Sequence, residues 1–522
     1  MKTKLGITLS VVKQIIRNTF TGWLAVGIRG ALALIIVPFL LSRLGKEGFG
    51  LVGLLGVIVS MAVVADLGLR SALGRELAEQ VARNDRQAFS ELASTALVLY
   101  LCIACLLGFI GWMLAPWAVE ALKVSESLQE DAITMIRIYG TLSILFSFIT
   151  PVFSAALSSY HRFDVINSVQ MISGIISSIA LLIIIPVVEN PLYGWVGVML
   201  TSEAIVLVLT VVFFRRFCEG AKINIHFLNG KRLIPLFHLG GYLYVIQLAQ
   251  TLTNTANSIV LSSFMGPVGV ALYQPASKIS AMFNPIVMTL TEQLYPLTTK
   301  FHATENKEKL QKTFCLGAKY TLLLGSLVSA CIFIFAEPVA RLWLFDSLGE
   351  DYLIVAQVMQ AFVIVDLMTY ASGTQWPILL GMKKLRFLAI LLILTAILNI
   401  AVSIYFVGFT TVGVVGVLYG TIISKLIRIV LLSIYVVRLV EIRMLSYLQQ
   451  SIIGPVWCLL LSGITGTILI QNFSCNSWIE LLFMVTITSL TWIGSCWFIG
   501  LDVTERQHIL MAVKRIYLGK FS

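Results

Sequence analysis

The chain has 522 residues, of which 58% are apolar and only 12% charged, with a formal net charge of +11. A soluble globular domain carries about a quarter charged residues, so this composition excludes one and calls for a protein solvated by lipid. The positive balance is no nucleic-acid signal by itself, because in a membrane protein what counts is the side on which the cations lie.

The first residues, MKTKLGITLSVVKQIIRNTF, lead into a full apolar run without a small-residue cleavage motif, so no cleavable signal is expected. Fourteen apolar runs follow, at 20–41, 49–69, 92–119, 132–157, 165–187, 192–214, 236–264, 270–297, 314–335, 353–379, 387–406, 412–435, 451–470 and 479–499. Each is near the ~20 residues that a helix needs to cross hydrocarbon, about twice what a barrel strand needs. The expected fold is all-α and polytopic, with about fourteen transmembrane helices.

The segments between the runs alternate in basicity. One side collects 27 Lys and Arg residues, among them Arg70, Arg75, Arg83, Arg86, Arg215, Arg216, Lys307, Lys309 and Lys312; the other has Arg43, Lys46, Lys123 and Arg341. The positive-inside rule then puts both termini in the cytoplasm. Trp112, Trp117, Trp195, Trp343 and Trp478 fall near the outer ends of runs, where an aromatic belt belongs.

The chain also resembles itself. GKEGFGLV at 45–52 lies over GPVGVALY at 266–273, SLQED at 127–131 over SLGED at 347–351, and GWVGVML at 194–200 over GVVGVLY at 413–419. The offsets are 221, 220 and 219, and each pair occupies the same place in the span pattern. Six spans per copy leave both copies in one orientation, so two six-helix lobes should be related by an axis along the membrane normal and enclose a cavity. The expected organisation is a lobe at 1–214, a cytoplasmic linker at 215–233, a second lobe at 234–437, and two extra helices with a tail at 438–522.

Charges inside spans are the functional signal. Arg29, Lys278, Lys319, Lys425 and Arg428 lie within apolar runs, against two deep acids, Glu203 and Asp366; Asp66 and Glu292 lie nearer the cytoplasmic ends. An arginine or lysine at mid-depth costs roughly 2.5–3.5 kcal/mol on insertion scales. Some of these cations can be absorbed structurally: Arg137 and Lys319 are near enough to span ends to snorkel, and Lys425 or Arg428 can pair with Glu203 or Asp366. The surplus points to a water-filled cationic cavity and an anionic, phosphate-like substrate. Glu203, Asp366 and Asp66 are candidates for ion coupling or for counter-ions.

Other chemistry is missing. The five histidines have no metal-ligand spacing, Cys102-x-x-Cys105 sits in the apolar LVLYLCIACLLGF, and glycine-rich GLVGLLG lacks the strand and lysine of a phosphate loop. No metal, cofactor or enzyme constellation is expected.

FLLSRLGKEGFGLVGLL, DLGLRSALGRELAE, YHRFDVINSVQ and MGPVGVALYQPASKIS resemble the polysaccharide transport family, with Asp66-Leu67-Gly68-Leu69, Arg75, Gly266-Pro267 and Tyr273 as markers. That family includes O-antigen (Wzx-type) flippases and belongs to the MOP superfamily of multidrug, oligosaccharidyl-lipid and polysaccharide exporters. The resemblance implies a two-lobed helical transporter in the bacterial inner membrane. It would move undecaprenyl-diphosphate-linked oligosaccharide from the cytoplasmic to the periplasmic leaflet, with Arg29, Lys278, Lys319, Lys425 and Arg428 receiving the diphosphate or glycan. Relatives often carry an acid near the outer end of span seven; here TLTNTANSIV offers the polar cavity residues Asn254 and Asn257 instead. Expected partners are the carrier-linked glycan, the bilayer, a glycan polymerase and a chain-length regulator, but no nucleic acid. A cation-coupled small-molecule exporter of the same superfamily and a membrane glycan polymerase are the alternatives; the first prefers acids to surplus cations, and the second needs a longer outer loop than AEPVARLWLFDSLGEDY.

Overall fold

The computed structural model describes residues 2–66, 68–218, 222–233, 241–507 and 510–511. The marker residue Leu67, His238, His508 and the basic residues Lys514, Arg515 and Lys520 lie outside the described residues, as do the side chains of Lys2, Lys4, Lys13, Arg17, Lys231 and Glu292.

Every regular element in the described residues is helical. We number the longer ones α1 (Lys2–Val64), α2 (Leu69–Ala82), α3 (Arg86–Ala121), α4 (Glu126–Ser159), α5 (Phe163–Ile184), α6 (Pro191–Phe217), α7 (Gly241–Glu292) and α8 (Leu294–Ala303). The series continues with α9 (Lys307–Ile334), α10 (Ala336–Leu348), α11 (Tyr352–Ser372), α12 (Gln375–Gly381), α13 (Leu385–Phe409), α14 (Gly416–Leu439), α15 (Met444–Asn472) and α16 (Trp478–Gly500). Eleven segments of the described residues are long and apolar enough to cross a bilayer. Two of them hold two spans each. Inside α1, Gly45 leaves the helical region (φ 68°, ψ 173°), and inside α7 Gly266 does the same (φ 68°, ψ −170°). The Asn257 amide donates to the Tyr273 hydroxyl at 3.2 Å; residues 16 apart on a straight helix would be about 24 Å apart, so α7 folds back at Gly266. With the 24-residue α14 added, the spans number fourteen, in the order that the apolar runs predict.

The internal repeat is written in the backbone as well as in the side chains. Left-handed residues recur at Gly45 and Gly266, Asn84 and Glu305, and His161 and Lys383. Asp85 caps α3 by accepting from the Ala88 N–H at 2.9 Å, and Asn306, 221 residues on, caps α9 by accepting from Lys309 N–H at 3.1 Å. A side-chain acceptor at that position satisfies one of the orphan donors of a helix start.

Two hydrophilic stretches are more ordered than the sequence suggests. The segment 336–348 is a helix rather than a loop, because nothing in AEPVARLWLFDSL breaks one until Gly349 turns to φ 60°. Residues 69–82, between spans two and three, form α2, whose Leu69, Ala72, Leu73 and Leu77 share one buried face. In the last two spans π-turns occur at Gln449–Ile453 and Cys496–Gly500. α7 remains helical through Pro275 and Pro285.

The chain divides into two compact units, one of residues 1–278, 346–348 and 392–417, the other of 279–345, 349–391 and 418–522. In the first, α2, α3, α4 and α5 close around Tyr100, Phe148, Val152 and Leu157. The linker is fastened to α3 of the same unit: backbone N–H groups of Lys222, Asn224 and Asn229 donate to the hydroxyls of Ser90, Ser94 and Thr95, and Arg232 pairs with Glu91 at 3.0 Å. In the second unit α9 packs against α11 and α15, and α15 against α16.

Candidate substrate-binding site

Each intramembrane charge sits on a helix whose remaining residues are apolar, so its position follows from helical register. In the first unit Arg29 is exposed on α1, with its stem against Gly174 of α5. Lys278 of α7 is exposed and Asn254 likewise, while Asn257 is buried and joined to Tyr273 across the fold-back. Glu203 on α6 is held by hydroxyl donors from α4, Ser143 Oγ at 2.7 Å and Tyr139 OH at 3.4 Å. It pairs with no cation among the described residues. Asp66 is 3% exposed. Its carboxylate accepts from the buried Tyr100 hydroxyl and, at 3.2 Å, from the Arg70 backbone N–H in the first turn of α2. Asp66 and Gly68 of the marker therefore form a structural joint: the aspartate accepts from the first turn of α2, and Gly68 turns the chain at φ 75°.

In the second unit Asp366 of α11 is buried and receives Ser280 Oγ and Asn284 Nδ2 from α7, each at 2.7 Å. The Lys425 ammonium donates to the Val365 carbonyl at 3.0 Å and to the Thr369 hydroxyl. The expected ion pairing between Lys425 or Arg428 and the deep acids is therefore replaced by bonds to neutral groups, because Asp366 is already satisfied by neutral donors. Arg428 has no ion pair or hydrogen bond among the described residues. It lies three positions from Lys425, on the same helix face.

Lys319 behaves differently. It is buried, and its ammonium meets Glu505 at 2.7 Å and Asp502 at 3.3 Å, just beyond α16. It neither snorkels nor remains available to a ligand. Arg137 stays at the surface, with its guanidinium 5.5 Å from the Trp112 ring centre.

Sequence reading missed a cavity inside the first unit. It has a volume of about 920 Å³ and is bounded by the last turns of α1, by α2 and by α4, α5 and α6. Arg70, His161, Gln170, Ser202 and Glu203 contribute polar groups. Its signal was present in FSFITPVFSAALSSY: Ser147, Thr150, Ser154 and Ser158 recur at helical spacing on one face of α4. Ser280 and Asn284, one turn apart, were a second missed pattern. A further hollow, of about 500 Å³, lies in the second unit between α9, α11 and α15 and is lined almost wholly by hydrocarbon.

Comparison with known proteins follows the same lines. The family described as polysaccharide biosynthesis protein matches residues 15–302. The chain is 20% identical over 490 residues to the uncharacterized membrane protein EpsK of Bacillus subtilis (strain 168), covering 92% of this chain and 94% of that one. It is 23% identical over 345 residues to the "Putative O-antigen transporter" of Shigella flexneri, covering 66% and 78%. Among solved structures it is similar to the lipid II flippase MurJ in an inward closed conformation, with TM-score 0.66 and 16% identity over 90% of this chain and 97% of the other. That likeness shows a shared fold.

Proposed function

The chain belongs to the polysaccharide biosynthesis protein family, and on that premise we propose that it is a flippase for undecaprenyl-diphosphate-linked oligosaccharide. The glycan would be an O-antigen, capsule or exopolysaccharide repeat unit, moved from the cytoplasmic to the outer leaflet of the bacterial inner membrane. The observation that carries the reading is the Lys425–Arg428 pair. Two cations share a face of a membrane span, Asp366, the acid beside Lys425, is satisfied by Ser280 and Asn284, and neither cation makes an ion pair among the described residues. Each such cation costs roughly 2.5–3.5 kcal/mol to insert, a cost that an anionic ligand offsets. A carrier diphosphate supplies that anion, and a guanidinium fork suits its oxygens. Arg29 and Lys278, both exposed in the first unit, are assigned to substrate contacts of that unit.

Replacing Lys425 or Arg428 by Ala, or Arg29 by Ala, should lower surface glycan display in a flippase-deleted strain at least tenfold, the equivalent of about 1.4 kcal/mol. The amount of protein in the membrane should stay constant. Lysine at position 29 or 428 should restore part of the display, keeping charge without the fork. Normal display from Lys425→Ala and Arg428→Ala together would remove the anion site, and with it this reading.

Both termini are assigned to the cytoplasm. Reporter fusions at Lys123, Ser347 and Asn476 should then report the outside, and fusions at Asn84, Gly230 and Asn306 the inside. Reversed signals at two of these sites would break the assignment.

A further inference from the structure

The cavity within the first unit has no role in the diphosphate site, and its chemistry differs from that site. One wall is the hydroxyl stripe of α4, on which the side chains of Thr150 and Ser154 have no hydrogen-bond partner among the described residues. Hydroxyls within a span ordinarily bond back to a carbonyl of their own helix, as Ser158 does to Ala155 at 2.8 Å. The opposite walls carry the Gln170 amide from α5, also without a partner among the described residues, and the Glu203 carboxylate from α6. Arg70 lines it with its guanidinium on the Ser147 carbonyl at 3.1 Å, and Phe163 is among its lining residues.

This set discriminates between ligands. A phosphate would meet the Glu203 carboxylate as well as the Arg70 guanidinium, so the opposed charges give an anion no net attraction. An isoprenoid chain would leave the hydroxyls and the amide unmatched, and it has better accommodation in hydrocarbon hollows such as the one between α9, α11 and α15, where Ser329 and Thr467 are the polar exceptions. A neutral polyhydroxylated group matches. Its hydroxyls donate to Glu203 and exchange hydrogen bonds with Thr150, Ser154 and Gln170, while an aromatic ring accepts the apolar face of a sugar. At about 920 Å³ the space lies at the upper end of ligand-pocket volumes, far beyond what a file of waters needs.

We propose that this cavity is a saccharide-recognition site that receives the glycan of the carrier-linked substrate. The inference rests on the flippase reading above. It assigns Glu203 as an acceptor for sugar hydroxyls.

The test is cysteine protection in the full-length protein reconstituted in liposomes. Ser154→Cys, with Thr150→Cys as a second variant, is treated with N-ethylmaleimide, and modification of that position is read by peptide mass spectrometry. Two additions are compared: undecaprenyl diphosphate bearing the host's own repeat unit, and bare undecaprenyl diphosphate. The glycan-bearing carrier should slow labelling about tenfold at a concentration about ten times its Kd, following 1 + [L]/Kd, and the bare carrier should leave it unchanged. Equal protection by both would show that the cavity takes the carrier and would overturn the proposal. No protection by either, or no labelling of either variant without ligand, would overturn it also, while the unmodified protein's transport of the glycan-bearing carrier would keep the flippase reading intact. Failure of the unmodified protein to transport it would instead bring down that reading.

Discussion

Gly50→Ala should destabilise the protein by about 3 kcal/mol, the upper part of the range for overpacking, whereas Gly56→Ala on the same helix should be neutral or slightly stabilising. A Cβ on Gly50 would stand 1.8 Å from the Pro267 carbonyl oxygen and 2.5 Å from its carbon. Those are backbone atoms in the turn after Gly266, so no rotamer change relieves the clash and the two segments would have to separate. Gly53 meets side chains of Gln274 and Val270 along the same contact at 3.1–3.2 Å, which extends the close approach by a turn. A Cβ on Gly56 meets nothing within 4 Å, and exchanging glycine for alanine in an open helix position restricts the unfolded chain. Thermal unfolding of the detergent-solubilised variants checks both. An unchanged midpoint for Gly50→Ala would mean that the second spans of the two repeats do not touch where they begin.

Glu505→Ala should cost more stability than Lys319→Met. Lys319 is 6% exposed at its side chain and Glu505 11%. Removing the carboxylate leaves a buried ammonium with only Asp502, a partner 76% exposed and 3.3 Å away. Breaking a buried pair from one side costs about 3–5 kcal/mol; Lys319→Met also leaves Glu505 without its cation, but that carboxylate keeps the Asp502 N–H and the Tyr320 hydroxyl as donors, whereas an ammonium left by Glu505→Ala keeps only Asp502. Since Asp502 remains, the lower end applies. The pair also sets a pH dependence. Burial works against the Glu505 charge, but bonds from Lys319, the Asp502 N–H and the Tyr320 hydroxyl outweigh it and hold the carboxyl below its ordinary value of 4.5. A depressed carboxylate contributes stability above its unfolded value and loses it as pH falls through the folded one. The unfolding midpoint of the parent should therefore drop on acidification below about pH 4.5 more than that of Lys319→Met. Equal stability of Glu505→Ala and Lys319→Met would place the buried charge elsewhere.

Much of this fold could be read from the chain because one variable dominates it. Apolar length against bilayer thickness fixes the spans, and the glycines at 45 and 266 could be aligned before any coordinate was known. Helices α2 and α10 were legible only in part, since amphipathic segments of 13 or 14 residues fall below the span signal. The site was harder. Sequence shows which residues are charged, not which face which: Lys319 looked as available as Lys425, yet its partners are 183 and 186 residues away. Hydroxyl stripes are quieter still, because serine and threonine in a span usually satisfy themselves on their own helix, and only coordinates show that Ser158 does so while Ser154 does not.

The matched turns of the two halves carry a record of descent. At Gly45 and Gly266 the inherited residue has been kept, because a main chain with φ 68° that opens into an extended ψ tolerates little else. At the other matched corners the letters have drifted, asparagine against glutamate at 84 and 305, histidine against lysine at 161 and 383, while the left-handed bend has stayed. Between the two copies the torsion angles agree where the spelling does not, so such corners can be paired by conformation where their letters cannot.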